Sequence, residues 1–400
     1  MKVVHISNSI SGGAGAAAFR LHSALLAEGI ESVMLTRHDN IEEQHIYAYK
    51  RPLLAKIMER LFPPIGRLSL VKHKEDLKKY KYDSLCFPYA LYNIADCDEL
   101  LSADIINLHW IGNMLNYRNF FKSVSAPVVW TMHDLNPILG LTHYIMGDDS
   151  MKNDKYLSKI DSQAKANKQL AYESFPHLSV ACLSSYVYEL SINSDAFRNK
   201  KHFMVKNCVD VKTYLPKDKV LMRDKWNIPL DAKVIMYISQ GVRSERKGFS
   251  YMKSVTDSIK MNCLFLTVGY SGGIVKENVR EMGYISDESK LSEIYSCADA
   301  LLIPSLEDNL PNTMLEALSC GVPIIAFPVG GMVDIIQHGK NGLLTSEVSS
   351  ESLVSSIEFF LANGVEWNSQ SIAENARSLF SPSVVAKEYI KIYNELTNDK

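Results

Sequence analysis

Ten short runs of β-branched and other apolar residues recur along the chain, and most are separated by stretches with helical spacing. They are Val3–Ile6, Ser32–Thr36, Asp104–Leu108, Val128–Met132, Ser179–Leu183 and Phe203–Val205 in the first half. Val234–Ile238, Leu264–Val268, Ala300–Ile303 and Pro323–Ala326 follow in the second. A strand with one wet face alternates apolar and polar residues. Continuous runs like these are buried on both faces, as in parallel strands covered by helices. Ala14–Ala27, Leu291–Cys297 and Asn312–Ser319 carry the helical spacing between them. The alternation predicts a doubly wound α/β architecture. Ten strands exceed one sheet of ordinary size, which predicts two sheets.

The best boundary lies in Asp210–Asp231, where prolines and charges appear without a strand pattern. Ser381-Pro382 opens a last helix whose apolar positions Val385, Tyr389, Ile392 and Leu396 recur at three- or four-residue spacing. The expected organisation is a first Rossmann-like domain over 1–212, a second over 213–378, and a C-terminal helix over 379–400 that packs back on the first.

Composition narrows the function classes. With 43 basic and 45 acidic side chains the formal charge is −2, which argues against a nucleic-acid binder that relies on a global basic field. No apolar run approaches the roughly 18 residues of a membrane-spanning helix. The start, M-K-V-V-H-I-S, turns polar too early for a secretory signal. The seven cysteines form no Cys-x-x-Cys pattern and read as reduced core thiols, so a cytoplasmic location is expected. Residues 50–81 stand apart: ten Lys and Arg face three acidic residues, with Leu53, Leu54, Ile57, Met58, Leu61 and Phe62 among the first of the cations. That segment reads either as a solvated helical insertion or as a surface for anionic lipid at the inner face of the plasma membrane.

In open α/β sheets ligands bind beyond the C-terminal strand ends, so the residues after each strand carry the candidate chemistry. Ser11-Gly12-Gly13-Ala14-Gly15 follows the first run and opens a helix, where glycines admit close backbone approach and free N–H groups suit an anion. Val128–Met132 runs into His133-Asp134, and a histidine there can donate to a sugar hydroxyl or a leaving oxygen. His109 ends the preceding strand and competes for that role; His133 is preferred. Ile238 to Gly248 leaves the first strand of the second half with Arg243, Arg246 and Lys247, cations that suit the charge growing on a diphosphate leaving group. Ser305 to Ala317 joins a buried strand to a helix and carries Asp308 at the strand tip and Glu316 inside the helix. A carboxylate on the apolar side of a helix is costly without a hydroxyl or cation partner, so Glu316 is expected to have one.

The Asp308–Ala317 run, followed by Cys320-Gly321-Val322-Pro323-Ile324-Ile325-Ala326, Gly330-Gly331 and Gly339-Lys340-Asn341-Gly342-Leu343-Leu344, resembles the signature of family 4 retaining glycosyltransferases of the GT-B fold. With Gly12-Gly13, His133, Asn207-Cys208-Val209-Asp210, Lys247-Gly248 and Gly283-Tyr284-Ile285 the resemblance covers essentially the whole chain. Asp-Asn-Leu-Pro-Asn, together with Thr131-Met132-His133-Asp134 and Thr142-His143-Tyr144, is most similar to bacterial enzymes of capsule, O-antigen and exopolysaccharide synthesis. The resemblance implies two Rossmann-like domains facing a central cleft, with the nucleotide-sugar held mainly by the second and the acceptor mainly by the first. It assigns Glu316 to the ribose hydroxyls, Asp308 to the transferred sugar, and Asn309, Leu310, Pro311 and Asn312 to sugar and phosphate. Lys247 matches the phosphate lysine, Gly13 the loop glycine near the diphosphate, and Tyr284 and Ile285 the backbone that meets the base.

The chain departs from the family pattern in places. Asp308 stands where the family has glutamate, so Glu307 could contribute instead. The arginine upstream of the lysine is displaced, leaving Arg243, preferred, or Arg246. Cys208 replaces a common glycine. The reaction implied is hexosyl transfer from a nucleoside-diphosphate sugar to a hydroxyl of a glycan acceptor, retaining configuration, with no metal or other cofactor. A lipid-linked acceptor would suit the basic insertion. The rivals are a non-catalytic nucleotide-sugar-binding protein, a GT-B phosphorylase or epimerase, and a metal-dependent transferase using Asp96-Cys97-Asp98, a triplet that reads better as a helix cap.

Overall fold

Burial of both strand faces yields two parallel sheets. The computed structural model describes residues 1–49, 53, 57, 85–90, 94–241, 244–270, 273, 275–362 and 367–398. Of the basic segment at 50–81 only Leu53 and Ile57 fall among these, so the lipid-surface expectation lies outside the described residues, as does Arg243.

Two compact units divide the chain: Met1–Lys206 with Val385–Lys400, and Asn207–Val384. The first contains β1 (Lys2–Ile6), β2 (Glu31–Thr36), β3 (Ile46–Ala48), β4 (Ile105–Leu108), β5 (Val128–Met132), β6 (Leu178–Cys182) and β7 (Lys201–Met204), in the spatial order β3-β2-β1-β4-β5-β6-β7. The second contains β8 (Lys233–Gly241), β9 (Cys263–Tyr270), β10 (Val279–Gly283), β11 (Ala300–Ile303), β12 (Ile324–Ala326) and β13 (Gly342–Leu344), in the order β10-β9-β8-β11-β12-β13. Every pair of neighbouring strands is parallel. Strand order reverses once in each sheet, between β1 and β4 and between β8 and β11. Such switch points leave a crevice beyond the strand ends where ligands bind.

Three strands fall outside the ten apolar runs. β3 and β13 have only three residues each, too short for a pattern, and β10 (Val-Arg-Glu-Met-Gly) is a half-exposed edge without a continuous apolar stretch. Cys97 caps the short helix Asp98–Leu101, so the Asp96-Cys97-Asp98 triplet sits at a helix start. No helix among the described residues is long and apolar enough to cross a membrane.

Aromatic side chains fill the first unit's core: Trp130 of β5 stacks on Phe121, meets Tyr172 edge-on and lies tilted against Tyr117 and Phe197. The C-terminal helix Pro382–Asn398 begins on proline, whose fixed φ and missing N–H suit a first helical position. Its Tyr389 and Tyr393, one turn apart, serve two polar residues of neighbouring strands. Asn107 Nδ2 donates to the Tyr393 hydroxyl at 2.7 Å, Thr131 Oγ1 donates to Asn107 Oδ1 at 2.9 Å, and the Tyr389 hydroxyl lies 3.2 Å from Thr131 Oγ1. All four residues are buried. Tyr393→Phe leaves a buried amide N–H without its acceptor, which costs about 1–3 kcal/mol. Its thermal midpoint is therefore expected below that of the unsubstituted chain by several degrees, and equal midpoints would show that the hydroxyl carries no such load.

Candidate functional site

The second unit's candidate residues gather where β8 and β11 end side by side. β8 leads into Ser244–Gly248 and then the helix Phe249–Ser258. Gly248 has φ +74°, and a Cβ there would lie 1.8 Å from the Pro304 carbonyl oxygen. Only glycine permits that approach, which draws Lys247 against the segment after β11. The Leu306 N–H donates to the Arg246 carbonyl at 2.8 Å, and Arg246 Nη1 donates to the Glu307 carbonyl at 2.9 Å. Lys247 Nζ then reaches Asp308 Oδ2 at 2.5 Å. From the far side Gly330, at φ +52°, packs so closely that a Cβ would lie 1.6 Å from the Asp308 carbonyl oxygen. Burial by itself would raise the Asp308 carboxyl, but the Lys247 and Arg246 charges and the Lys247 hydrogen bond outweigh it and hold it below the usual carboxylate range.

The loop continues through buried Asn309, Leu310 and Pro311 into the helix Asn312–Ser319. The Gly331 N–H donates to the Asn309 carbonyl at 2.6 Å, and Asn207 Nδ2 donates to Asn312 Oδ1 at 3.0 Å. Glu316 lies buried on this helix, where Tyr295, itself fully buried, donates its hydroxyl to Glu316 Oε2 at 3.1 Å. Tyr284 and Ile285 follow β10, two strands away from β8 in the sheet order. Tyr284 is 54% exposed. Lys247 and Asp308 are thus in contact, Asn309 to Glu316 lie on the same loop and helix, and Tyr284 and Ile285 stand along the sheet.

In the first unit Gly12, at φ +75°, and Gly13 open the helix Gly12–Ala27. The tightest glycine is Gly15, where a Cβ would lie 2.4 Å from the Ser9 carbonyl oxygen. His133 follows β5 and is part of a line of histidines: His133 Nε2 lies 2.9 Å from His109 Nδ1, and His109 Nε2 lies 2.9 Å from His5 Nδ1. Burial pushes His133 down to about 4, although Asp134 acts in the opposite sense. The rivalry between His109 and His133 resolves into a hydrogen bond between them. His133, His109, Trp110, Asp134, Asn136 and His143 are among the residues that line a half-open pocket.

Asp134 and His143 form a buried ion pair in that wall. His143 Nδ1 lies 2.6 Å from Asp134 Oδ2, and His143 Nε2 lies 3.1 Å from Cys86 Sγ. Burial alone would lower His143 and raise Asp134; their mutual attraction and hydrogen bonding outweigh it, lifting His143 to about 10 and holding Asp134 below the usual range. The pair ties the His133-Asp134 turn to the segment at Thr142-His143, and buried Lys168 secures the same loop by donating to the Asn136 and Leu139 carbonyls at 2.5 and 3.2 Å.

Sequence reasoning missed Tyr295, the Asp134–His143 pair and His5. Each of β1, β4 and β5 carries or leads into a histidine (V-V-H-I, L-H-W, M-H-D), and that threefold recurrence was the available signal.

Comparison with solved structures decides the architecture. Sucrose-phosphate synthase from Thermosynechococcus elongatus superposes with a TM-score of 0.73 over 100% of both chains at 16% identity. Anabaena Alr3699/HepE in complex with UDP-glucose gives 0.65 over 99% of this chain and 100% of that one at 15% identity. The fold is GT-B. Residues 232–363 match the family model described as glycosyl transferases group 1, so the GT-B chain's second unit carries that match across Lys247, Asp308 and Glu316. Among curated proteins it is 24% identical over 214 residues to N-acetyl-alpha-D-glucosaminyl L-malate synthase of Bacillus anthracis, covering 50% of this chain and 55% of that protein. It is 21% identical over 404 residues to the putative colanic acid biosynthesis glycosyl transferase WcaC of Escherichia coli (strain K12), covering 96% and 97%. The first two curated relatives are matched over only about half of their own length, 55% and 48%.

The Asp134–His143 pair gives this GT-B chain a defined pH response. His143 has its pKa raised, so its contribution is fully present below the unfolded value near 6.5 and is lost as pH rises through about 10. Asp134 has its pKa lowered, so its contribution is present above the unfolded carboxylate value and is lost only as acid protonates it. Breaking a buried pair costs about 3–5 kcal/mol. His143→Gln is expected to lower the thermal midpoint most near pH 7, with the gap to the unsubstituted chain narrowing by pH 10.5. A gap that stays constant across this range would contradict the assignment.

Proposed function

We propose that this chain transfers a hexosyl residue from a nucleoside-diphosphate sugar to a hydroxyl of a glycan acceptor in bacterial surface polysaccharide synthesis, with retention of anomeric configuration and without a metal ion. The observation that carries the reading is the Lys247–Asp308 contact at the β8–β11 switch point, beside a buried Glu316 that Tyr295 holds in place. The group 1 match over 232–363 and the UDP-glucose bound by Alr3699/HepE support a nucleotide-sugar donor. The near full-length likeness to WcaC supports a polysaccharide role.

Glu316 would accept hydrogen bonds from the ribose hydroxyls, its second carboxylate oxygen being fixed by Tyr295. Lys247 would leave Asp308 for the diphosphate, and Asp308, relieved of its cation, would accept from hydroxyls of the transferred sugar. As the bond from the anomeric carbon to the diphosphate oxygen breaks, charge grows on the leaving group. Lys247, Arg243 and the backbone around Asn309 to Asn312 would stabilise it. The acceptor hydroxyl attacks on the face the diphosphate leaves, and the departing phosphate oxygen takes its proton. His133 would donate to a substrate oxygen, and the Gly12-Gly13 turn would admit substrate close to backbone. Tyr284 and Ile285 would meet the base. A lipid-linked acceptor and contact with anionic membrane through 50–81 complete the proposal; equal liposome flotation after removal of that segment's lysines would refute the membrane part.

Three measurements follow from these roles. Glu316→Ala is expected to weaken donor binding by about tenfold or more, the worth of a hydrogen bond to a charged group. Lys247→Ala is expected to lower kcat about 10²-fold, the scale of a lost leaving-group stabiliser. Donor titration and turnover curves for both variants that overlay the unsubstituted chain's would refute the site. Chelator is expected to leave turnover intact; its loss, with rescue by manganese, would contradict the metal-free arrangement.

A further inference from the structure

The line of histidines ends at the pocket on one side and inside the unit on the other. His5, on β1, is fully buried, and its Nε2 has no hydrogen-bond partner among the described residues. His109 is buried after β4, and His133 stands at the pocket after β5. The rings stack in succession, with centroids 5.2 Å apart and interplanar angles of 27° and 29°. These strands are consecutive in the sheet, with His5 paired in register to Asn107 and the His109 N–H donating to the Ile6 carbonyl at 2.9 Å. The rings are therefore placed by the backbone ladder.

A neutral imidazole carries one N–H and one lone pair. Burial holds His5 and His109 well below the usual histidine value and His133 at about 4, so near neutral pH the three rings share three ring protons. Two of them occupy the two 2.9 Å bridges. The third sits at one end: on His5 Nε2, or on His133 Nδ1, the only ring nitrogen of His133 left for a ligand. At the interior end a proton would be a buried N–H with no acceptor among the described residues, the rarer kind of orphan and a costly one. At the pocket end it meets water or a substrate oxygen, and it stands beside the Asp134 carboxylate, which His143 keeps ionised.

We propose that His5 and His109 are positioning residues that lock His133 in the Nδ1–H form, so that His133 meets its ligand as a hydrogen-bond donor to a hydroxyl or leaving-group oxygen and never as a general base. His5 Nδ1–H donates to His109 Nε2, His109 Nδ1–H donates to His133 Nε2, and His133 Nδ1–H points its proton at the ligand. An isolated histidine favours the Nε2–H form, so the relay inverts the ordinary preference. Among the described residues, Asp134 and His143 are the charged neighbours at the pocket end of the line. At the other end His22, on the helix Gly12–Ala27, has its ring 5.9 Å from His5 and is bound to Ser32 Oγ and the Gln44 carbonyl.

The role in sugar transfer rests on the function proposed above; the tautomer does not, and the two are tested apart. Long-range proton–nitrogen NMR of the full chain with ¹⁵N-labelled histidine reads which ring nitrogen carries hydrogen in the free protein at pH 7.5. The expected result is Nδ1–H at His133 in the unsubstituted chain and reversion to Nε2–H in His109→Leu. Nε2–H in the unsubstituted chain, or a tautomer indifferent to His109→Leu, overturns the proposal whether or not the chain turns over sugar. In turnover assays His5→Leu is expected to lower kcat about tenfold, the worth of one misdirected hydrogen bond, with donor KM unchanged. His5→Asn, whose amide N–H can stand where Nδ1–H stood, is expected to restore most of it. Equal loss in both variants, with the tautomer unmoved, would reduce His5 to a packing residue and refute its positioning role.

Discussion

The contact between Lys247 and Asp308 organises the second unit's candidate site. A carboxylate buried as deeply as Asp308 is unfavourable by several kcal/mol unless a cation and hydrogen bonds compensate it. The compensation depends on backbone approach: the Gly248 turn packs on Pro304, and Gly330 packs on Asp308 itself. Gly248 thus fixes the distance between the β8 exit and the β11 exit, from which the ion pair follows, and Gly330 fixes the β12 exit against the same segment. Asp308 is buried while Lys247 keeps part of its side chain in water, so under the proposed function a phosphate that took Lys247 would leave Asp308 as an acceptor for hydroxyl groups.

The first unit uses its own switch point differently. Where β1, β4 and β5 end, the chain places neutral imidazoles in line and follows them with a charged pair, Asp134 and His143. Burial decides between these states. His109, buried and hydrogen-bonded to the two neighbouring rings, has its pKa held well below the usual value, whereas His143, facing a carboxylate at 2.6 Å, has its pKa raised. The result is a pocket wall in which a fixed negative charge stands beside a neutral ring, with Lys168 securing the loop behind them.

Much of this was legible in the chain. Continuous apolar runs point to parallel strands covered on both faces, and their number points to two sheets. That Glu316 needs a partner was legible because it is a carboxylate on the apolar face of Asn312–Ser319; the identity of that partner, Tyr295, was not, since the two residues stand 21 positions apart and meet only after helix packing. The histidine line is the clearest omission. His5 and His109 are separated by 104 positions, and nothing local says that β1 and β4 become neighbours. β3, β10 and β13 escaped because edge strands are short or half wet and leave no period to read. Gly15 was read with Gly12 and Gly13 as leaving room for a ligand, whereas its need for glycine comes from the Ser9 carbonyl, a contact made by the turn.

The proposed chemistry depends on a nucleoside diphosphate bound by the second unit's loops. Its most direct test is a thermal-shift screen of the full chain against UDP-, GDP-, ADP- and dTDP-sugars in the presence of chelator, since a ligand that binds the native state raises the midpoint, by about 2.7 kcal/mol of stability at a hundredfold excess over Kd. A clear rise is expected with at least one of the four. Midpoints unmoved by all of them, or moved only once a divalent cation is restored, would contradict it.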